Sequence, residues 1–363
     1  MDDAATQRRF TRAYDSDAVD SDEIATALNR YDGLDSDGKD EFDDLLARNG
    51  DDAADFAARS DSDTFDAIVS PCGARSAPSL GGAGSLRTDR HHSVAGPSAA
   101  LKQSGTCPGL PDDVRDDFVT AVSDIGDDEL RNVDTKGALD SIIGFDRNAQ
   151  DAATDLIDRK GADGVRLTND ATDLADNVDG LESDDVNDLI VSYDDYADAS
   201  DVGRSPREIQ NDLDSLAQND VGGLYEAIRE RAGGPNTNNF KGLDGEVDAA
   251  ENILDSDDAE IDRLETDITT DQGPTDIDIL LEDGTAIEVK NRDYDDVPSY
   301  AEDREIRELT EKMDKYAEEK DSIAIATRGN PESADVLQAV KSNIEDDYPD
   351  TTVDLRKIDS PSG

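Results

Sequence analysis

The stretch GPTDIDILLEDGTAIEVKNR, Gly273 to Arg292, can fold in few ways. Apolar and charged residues alternate on both sides of Glu282-Asp283-Gly284, the pattern of two strands joined by a tight turn. Side chains of a strand point to alternate faces. A three-residue turn with glycine third, a type I turn closed by a left-handed residue, pairs Leu281 with Thr285, Leu280 with Ala286, Ile279 with Ile287, Asp278 with Glu288 and Asp276 with Lys290. Ile277, Ile279, Leu281, Ile287 and Val289 then share one face, and Asp276, Asp278, Glu288 and Lys290 the other. A two-residue turn at Asp283-Gly284 mixes the faces and buries charge. Register follows such patterns, so the three-residue turn is preferred.

That register sets acid against acid, which destabilises a sheet taken as pure structure. A divalent cation reverses the sign. Asp278, Glu288 and the backbone carbonyl of Val289 offer hard oxygen ligands to Mg2+ or Mn2+. Such an ion activates water and neutralises charge on a scissile phosphate. Lys290 then orients or helps deprotonate the water, or stabilises the developing charge. The plainer alternative makes Glu288 and Lys290 the solvent face of an amphipathic hairpin. Arg292, Lys312 and Lys315 are candidate phosphate contacts, although a solvated helix face accounts equally well for the two lysines.

The text around the hairpin predicts helix DGEVDAAENILDS, with Val247, Ala250 and Ile253/Leu254 inward, and strand EIDRLETDITT. After the hairpin come a long amphipathic helix SYAEDREIRELTEKMDKYAEEK, strand SIAIATR, helix ESADVLQAVKSNIEDDY and strand TTVDLRKI. The order α-β-β-β-α-β-α-β suggests a mixed sheet flanked by helices.

The D…ExK hairpin, with a Glu-bearing helix before it and α-β after it, resembles the PD-(D/E)XK, or restriction-endonuclease-like, nuclease superfamily over roughly Gly242 to Ile358. The resemblance makes Asp278 the motif aspartate and Glu288 and Lys290 the E-x-K pair. It makes Glu246, ahead of Glu251, the acidic residue of the first core helix. TDIDI leaves Asp276 as a second candidate aspartate; Asp278 is favoured because it lies opposite Glu288. No proline precedes either aspartate directly, a departure from the family's pattern. The resemblance implies a Mg2+- or Mn2+-dependent endonuclease that hydrolyses phosphodiester bonds.

The rest of the chain is strongly acidic. Asp and Glu number 91 against 35 Lys and Arg, a formal charge of −56, and tryptophan is absent. Molar salt shortens the Debye length to about 3 Å, which screens self-repulsion of this size. The acidity therefore points to a salt-rich cytoplasm, and low ionic strength should destabilise the fold. Intrinsic disorder is the competing reading, strongest in the first hundred residues. A basic nucleic-acid-binding surface is excluded overall, so phosphate contacts must come from local Lys and Arg or from a metal ion.

Residues 1–70 read as acidic helical pieces. Residues 71–108 change abruptly to Gly, Ser, Ala and Pro, a disordered linker or the product of a reading-frame slip. His91 and His92 between Cys72 and Cys107 match no standard zinc spacing, and two cysteines make no disulfide framework. Residues 109–232 return to acidic helical hairpins with a weak repeat, LNRYDGLDSDGKDEFDDLL echoed by LADNVDGLESDDVNDLI. These read as stacked helix pairs burying Leu/Val/Ile stripes. A linker is expected at 233–242 and the nuclease-like domain at 243–363. The fold class is α+β: an acidic α-helical N-terminal region followed by an α/β restriction-endonuclease-like domain.

No signal peptide or membrane span is read, so the expected location is the cytoplasm of a high-salt organism, or export without a cleaved signal. A helical region ahead of a C-terminal nuclease resembles polymorphic and contact-dependent inhibition toxins, here of haloarchaeal type. That layout implies DNA or tRNA as substrate and an immunity protein as partner. The alternatives are a restriction- or repair-type DNA endonuclease, and a non-catalytic adaptor carrying a degenerate nuclease fold.

Overall fold

The computed structural model describes residues 21–69, 110–198, 204–232, 237–256, 259–295 and 297–358. The stretch 71–108, with Cys72, His91, His92 and Cys107, lies outside them. The protein is α+β, and it divides into two compact units, Met1–Asn169 and Asp170–Gly363.

The first unit is helical: α1 Ser21–Gly33, α2 Ser36–Asn49, α3 Asp51–Arg59, α4 Ser62–Val69, α5 Asp112–Ser123, α6 Asp127–Leu130, α7 Thr135–Gly144 and α8 Arg147–Lys160. Many of its aspartates have a local task. Asp35, Asp61, Asp134 and Asp146 each accept a backbone N–H three residues on, at the start of α2, α4, α7 and α8. Losing one such cap typically costs about 1 kcal/mol. The expected Leu, Val and Ile stripes are buried, but the middle is aromatic: Phe42 meets Phe65 edge-on at 5.4 Å, and Phe56 meets Phe118 at 6.3 Å.

Helix α9, Ala162–Asn177, contains the boundary between the two ranges. The second unit continues with α10 Ser183–Asp198, α11 Pro206–Gln218, α12 Leu224–Arg231 and α13 Thr237–Asp255. Part of the expected linker 233–242 is thus the first turn of α13, and the sheet shares its unit with helices from Asp170 onward rather than beginning a domain at 243. Strands β1 Ile261–Thr270, β2 Gly273–Leu281 and β3 Ala286–Asp293 follow. Helix α14 Ser299–Glu319, β4 Ser322–Arg328, α15 Asp335–Asp347 and β5 Thr352–Lys357 complete the order expected from sequence.

The strands lie in the order β1-β2-β3-β4-β5, antiparallel over the first three and parallel over the last three. Leu309, Met313 and Tyr316 of α14 and Val336, Leu337, Val340 and Ile344 of α15 pack on Ala286, Ile323, Ile325 and Val353 of the sheet. Helix α13 packs on β3 from the Asn291 side. A Cβ on Gly245 would stand 2.5 Å from the Asn291 Cβ, so only glycine permits this approach.

The hairpin turn is the expected one. Leu281 N–H donates to the Thr285 carbonyl at 3.0 Å, Gly284 has φ of 90°, and Leu280 pairs with Ala286 and Ile279 with Ile287. Beyond Ile279 the β2–β3 ladder ends, so the expected pairs Asp278–Glu288 and Asp276–Lys290 do not form. The strict two-face division fails as well: Ile277 packs in the cluster that holds Ala286. Across the β1–β2 ladder from this point stands Glu265, with Leu264 opposite Ile279 and Thr266 opposite Ile277. Glu265 has φ of 44°, a left-handed backbone rare for a residue with a side chain. Such an irregularity in one strand twists the pair and re-aims neighbouring side chains.

Candidate active site at the splayed hairpin

Asp278 occupies the point where the ladder opens. Its Oδ2 accepts the Val289 N–H at 2.6 Å, a bond that takes up an amide freed by the splay. Val289 thus meets Asp278 through its N–H and not, as expected from sequence, through its carbonyl as a co-ligand. Asp278 is buried, as are Glu246 on α13 and Glu265 on β1. One carboxylate oxygen from each of the three lies within 4.8 Å of the others. The guanidinium of Arg231, the last residue of α12, reaches all three. Its Nη2 is 2.7 Å from Glu246, 2.7 Å from Glu265 and 4.0 Å from Asp278. No N–H or hydroxyl donor among the described residues reaches Glu246 Oε2 or Glu265 Oε2, although both are buried; the two carboxyls lie against each other.

Glu288 lies next to this cluster in different company. It is fully buried, and Lys290 pairs with its Oε1. Lys312 of α14 stands 3.3 Å from its Oε2 and 3.1 Å from Asp276 Oδ2. The Tyr316 hydroxyl is 2.7 Å from Glu288 Oε2 and 2.6 Å from the Asp276 carbonyl, with one proton for the two acceptors.

The two groups of carboxylates differ electrostatically. Burial pushes the Asp278 carboxyl well above the usual range, and the nearby charge of Glu288 adds to it. Burial does the same to Glu246, with Asp278 reinforcing and Arg231 opposing. Burial also works against the charge on Glu288, but Lys290 and Lys312 together hold that carboxyl below its ordinary value. Lys290 loses solvent, yet Glu288 and Asp278 outweigh the loss and its pKa rises, so it stays an ammonium ion. These are separate effects of burial and of neighbouring charge, and they divide one constellation into ionised and proton-seeking halves.

Of the residues singled out from sequence, Asp278, Glu288, Lys290, Glu246, Asp276 and Lys312 come together. Arg292 does not join them: it pairs with Glu305 at 3.0 Å and lies over the Tyr294 ring. Glu251 accepts from Ser215 at 3.0 Å, away from the cluster. Lys315 donates to the Pro274 carbonyl at 3.3 Å. Sequence reasoning missed Glu265, Arg231 and Tyr316. Glu265 had a signal. Thr270 pairs with Gly273 across a two-residue turn, and counting back along that ladder sets Glu265 opposite Asp278. Arg231 and Tyr316 reach the site from other elements and had none.

The donors around Asp278 are all carboxylate oxygens, with two buried and unsatisfied, which fits a hard cation such as Mg2+ or Mn2+. No helix among the described residues is long and apolar enough to cross a membrane. No family model, no curated protein and no solved structure matches the chain.

Proposed function

We propose that this protein is a divalent-cation-dependent nuclease that hydrolyses phosphodiester bonds at the β2–β3 hairpin. The observation that carries this reading is Glu288. It is fully buried, held ionised by two lysines, and placed two residues from Lys290 beside Asp278. Charge concentrated in this way is costly to a fold and is characteristic of catalytic sites. The sheet order and the flanking helices support the restriction-endonuclease-like reading of the same residues.

Asp278, Glu246 and Glu265 are the residues placed to hold the cation, with Glu288 beside them. When bound, the ion would neutralise charge on the scissile phosphate and activate water. The chain's own groups supply the rest. Lys290 remains protonated, so it serves as a fixed positive charge for the phosphate oxygens of the transition state, not as a base. Glu288 fixes the Lys290 ammonium, and Tyr316 and Lys312 fix Glu288. The Lys290 side chain is 38% exposed, which leaves it within reach of substrate.

In this reading the helical region ahead of the nuclease is a carrier, the nuclease is a toxin of DNA or tRNA, and an immunity protein is its partner. The test is incubation of the full chain, in molar KCl with Mg2+, with plasmid DNA and with total tRNA. Cation-dependent cutting supports the nuclease, and the substrate cut identifies its target. A folded chain that cuts neither in Mg2+ nor in Mn2+ refutes the proposal.

A further inference from the structure

We propose that Glu246, Glu265 and Asp278, rather than Asp278 with Glu288 and the Val289 carbonyl, form the main divalent-cation site, and that Arg231 is an internal counter-ion which the cation displaces. The inference rests on the reading of the site as cation-dependent, but it concerns where the ion binds and what it replaces.

Four observations carry it. The three carboxylates already bring one oxygen each within 4.8 Å of the others. Glu246 Oε2 and Glu265 Oε2 are buried and take no hydrogen bond from an N–H or hydroxyl group, a deficit that a cation would relieve. Arg231 Nη2 stands close to oxygens of all three carboxylates, as a bound cation would, at 2.7, 2.7 and 4.0 Å. Glu288, by contrast, is already engaged by Lys290, Lys312 and Tyr316, and a ligand role would strip away those partners.

The chemistry favours exchange over coexistence. Three buried carboxyl groups crowd one guanidinium, which can satisfy only some of their oxygens. A guanidinium donates along fixed N–H directions; a hard cation accepts several oxygens at once. The Arg231 side chain is 26% exposed and ends its helix, so it has a path to solvent. Once displaced, it stays at the rim of the pocket as a positive charge available to a phosphate. Glu265 completes the site from β1. Its left-handed backbone brings a strand carboxylate to Asp278 and Glu246, a strained conformation that persists only where surroundings fix it.

The test measures Mn2+ binding to the full chain in molar KCl without nucleic acid, by the loss of the free-ion electron paramagnetic resonance signal. Glu265→Gln should weaken binding about tenfold or more, because a charged ligand becomes a neutral one. Glu288→Gln should lower binding far less, because Glu288 acts on Asp278 through its charge and not as a ligand. Arg231→Gln should tighten it about tenfold, because the competing charge is gone and the ion alone pairs the buried carboxylates. If Arg231→Gln unfolds without metal, Mn2+ should restore the fold and raise its melting temperature more than that of the parent. Unchanged binding in Glu265→Gln together with loss in Glu288→Gln would overturn the proposal and leave the nuclease reading intact. So would weaker binding, or no rescue, in Arg231→Gln. Binding that follows the proposal without any cleavage would refute the nuclease reading alone.

Discussion

The Asp278 carboxylate takes the Val289 amide at 2.6 Å, and that bond stands where the β2–β3 ladder opens. A side chain replaces a backbone carbonyl as the acceptor of this amide.

Removing the Lys290 charge should abolish most activity while leaving the fold. Lys312 still neutralises Glu288 in Lys290→Met, so folding in molar KCl should survive. Cleavage should fall by about 100-fold or more, the usual effect of losing one transition-state charge partner. Initial rates on plasmid DNA and tRNA check the first part, and far-ultraviolet circular dichroism the second.

Tyr316→Phe removes the hydroxyl shared by Glu288 and the Asp276 carbonyl. A hydrogen bond to a buried charged group contributes about 1.5–3 kcal/mol, so a loss in that range is expected from urea unfolding in KCl. A change under 0.5 kcal/mol would mean that Lys290 and Lys312 alone fix Glu288.

Gly245→Ala should act on both stability and site. Its new methyl would meet the Asn291 Cβ at 2.5 Å and push α13 off β3. Overpacking of this kind costs about 1–3 kcal/mol. The same shift carries Glu246 away from Asp278, so Mn2+ affinity should drop along with the melting temperature.

Asp214 gives a pH prediction away from the site. Burial pushes its carboxyl up to about 6, opposed by the hydrogen bond from Gln210 at 2.8 Å. A pKa raised in the folded state adds stability that is full below the unfolded value near 4 and lost as pH rises through 6. Asp214→Asn removes that loss. It should stabilise the protein at pH 7.5 by about 1 kcal/mol relative to its effect at pH 4, after allowance for screening of a partly exposed group. Thermal unfolding of both proteins at the two pH values measures it.

Much of this architecture was legible in the sequence because it is local. Alternation and Glu282-Asp283-Gly284 set the turn and the first pairs, and Leu280 does meet Ala286. The failures are long-range. The text of helix α13 sets Val247, Ala250 and Ile253/Leu254 inward and singles out only Glu246 and Glu251 among its acids, yet Asp244, Glu246 and Asp248 are all buried. Arg204 meets Asp244 at 3.0 Å, Arg231 meets Glu246 at 2.7 Å, and Arg328 pairs with Asp248. Each arginine comes from a different element, and a single sequence of many acids and few bases does not say which acids find them. Glu265 was only half legible: the ladder count sets it opposite Asp278, but its backbone leaves the β region, so alternation along β1 says nothing of where its carboxylate points.

The most direct test of the central claim compares the full chain with Asp278→Asn and with Glu288→Ala/Lys290→Ala, all folded in molar KCl, on plasmid DNA and total tRNA with Mg2+, with Mn2+ and with chelator. The account predicts that the parent cuts at least one substrate in Mg2+ or Mn2+ only, and that neither variant cuts in any condition. Cutting that persists in chelator, or in both variants, would place the chemistry elsewhere and contradict it.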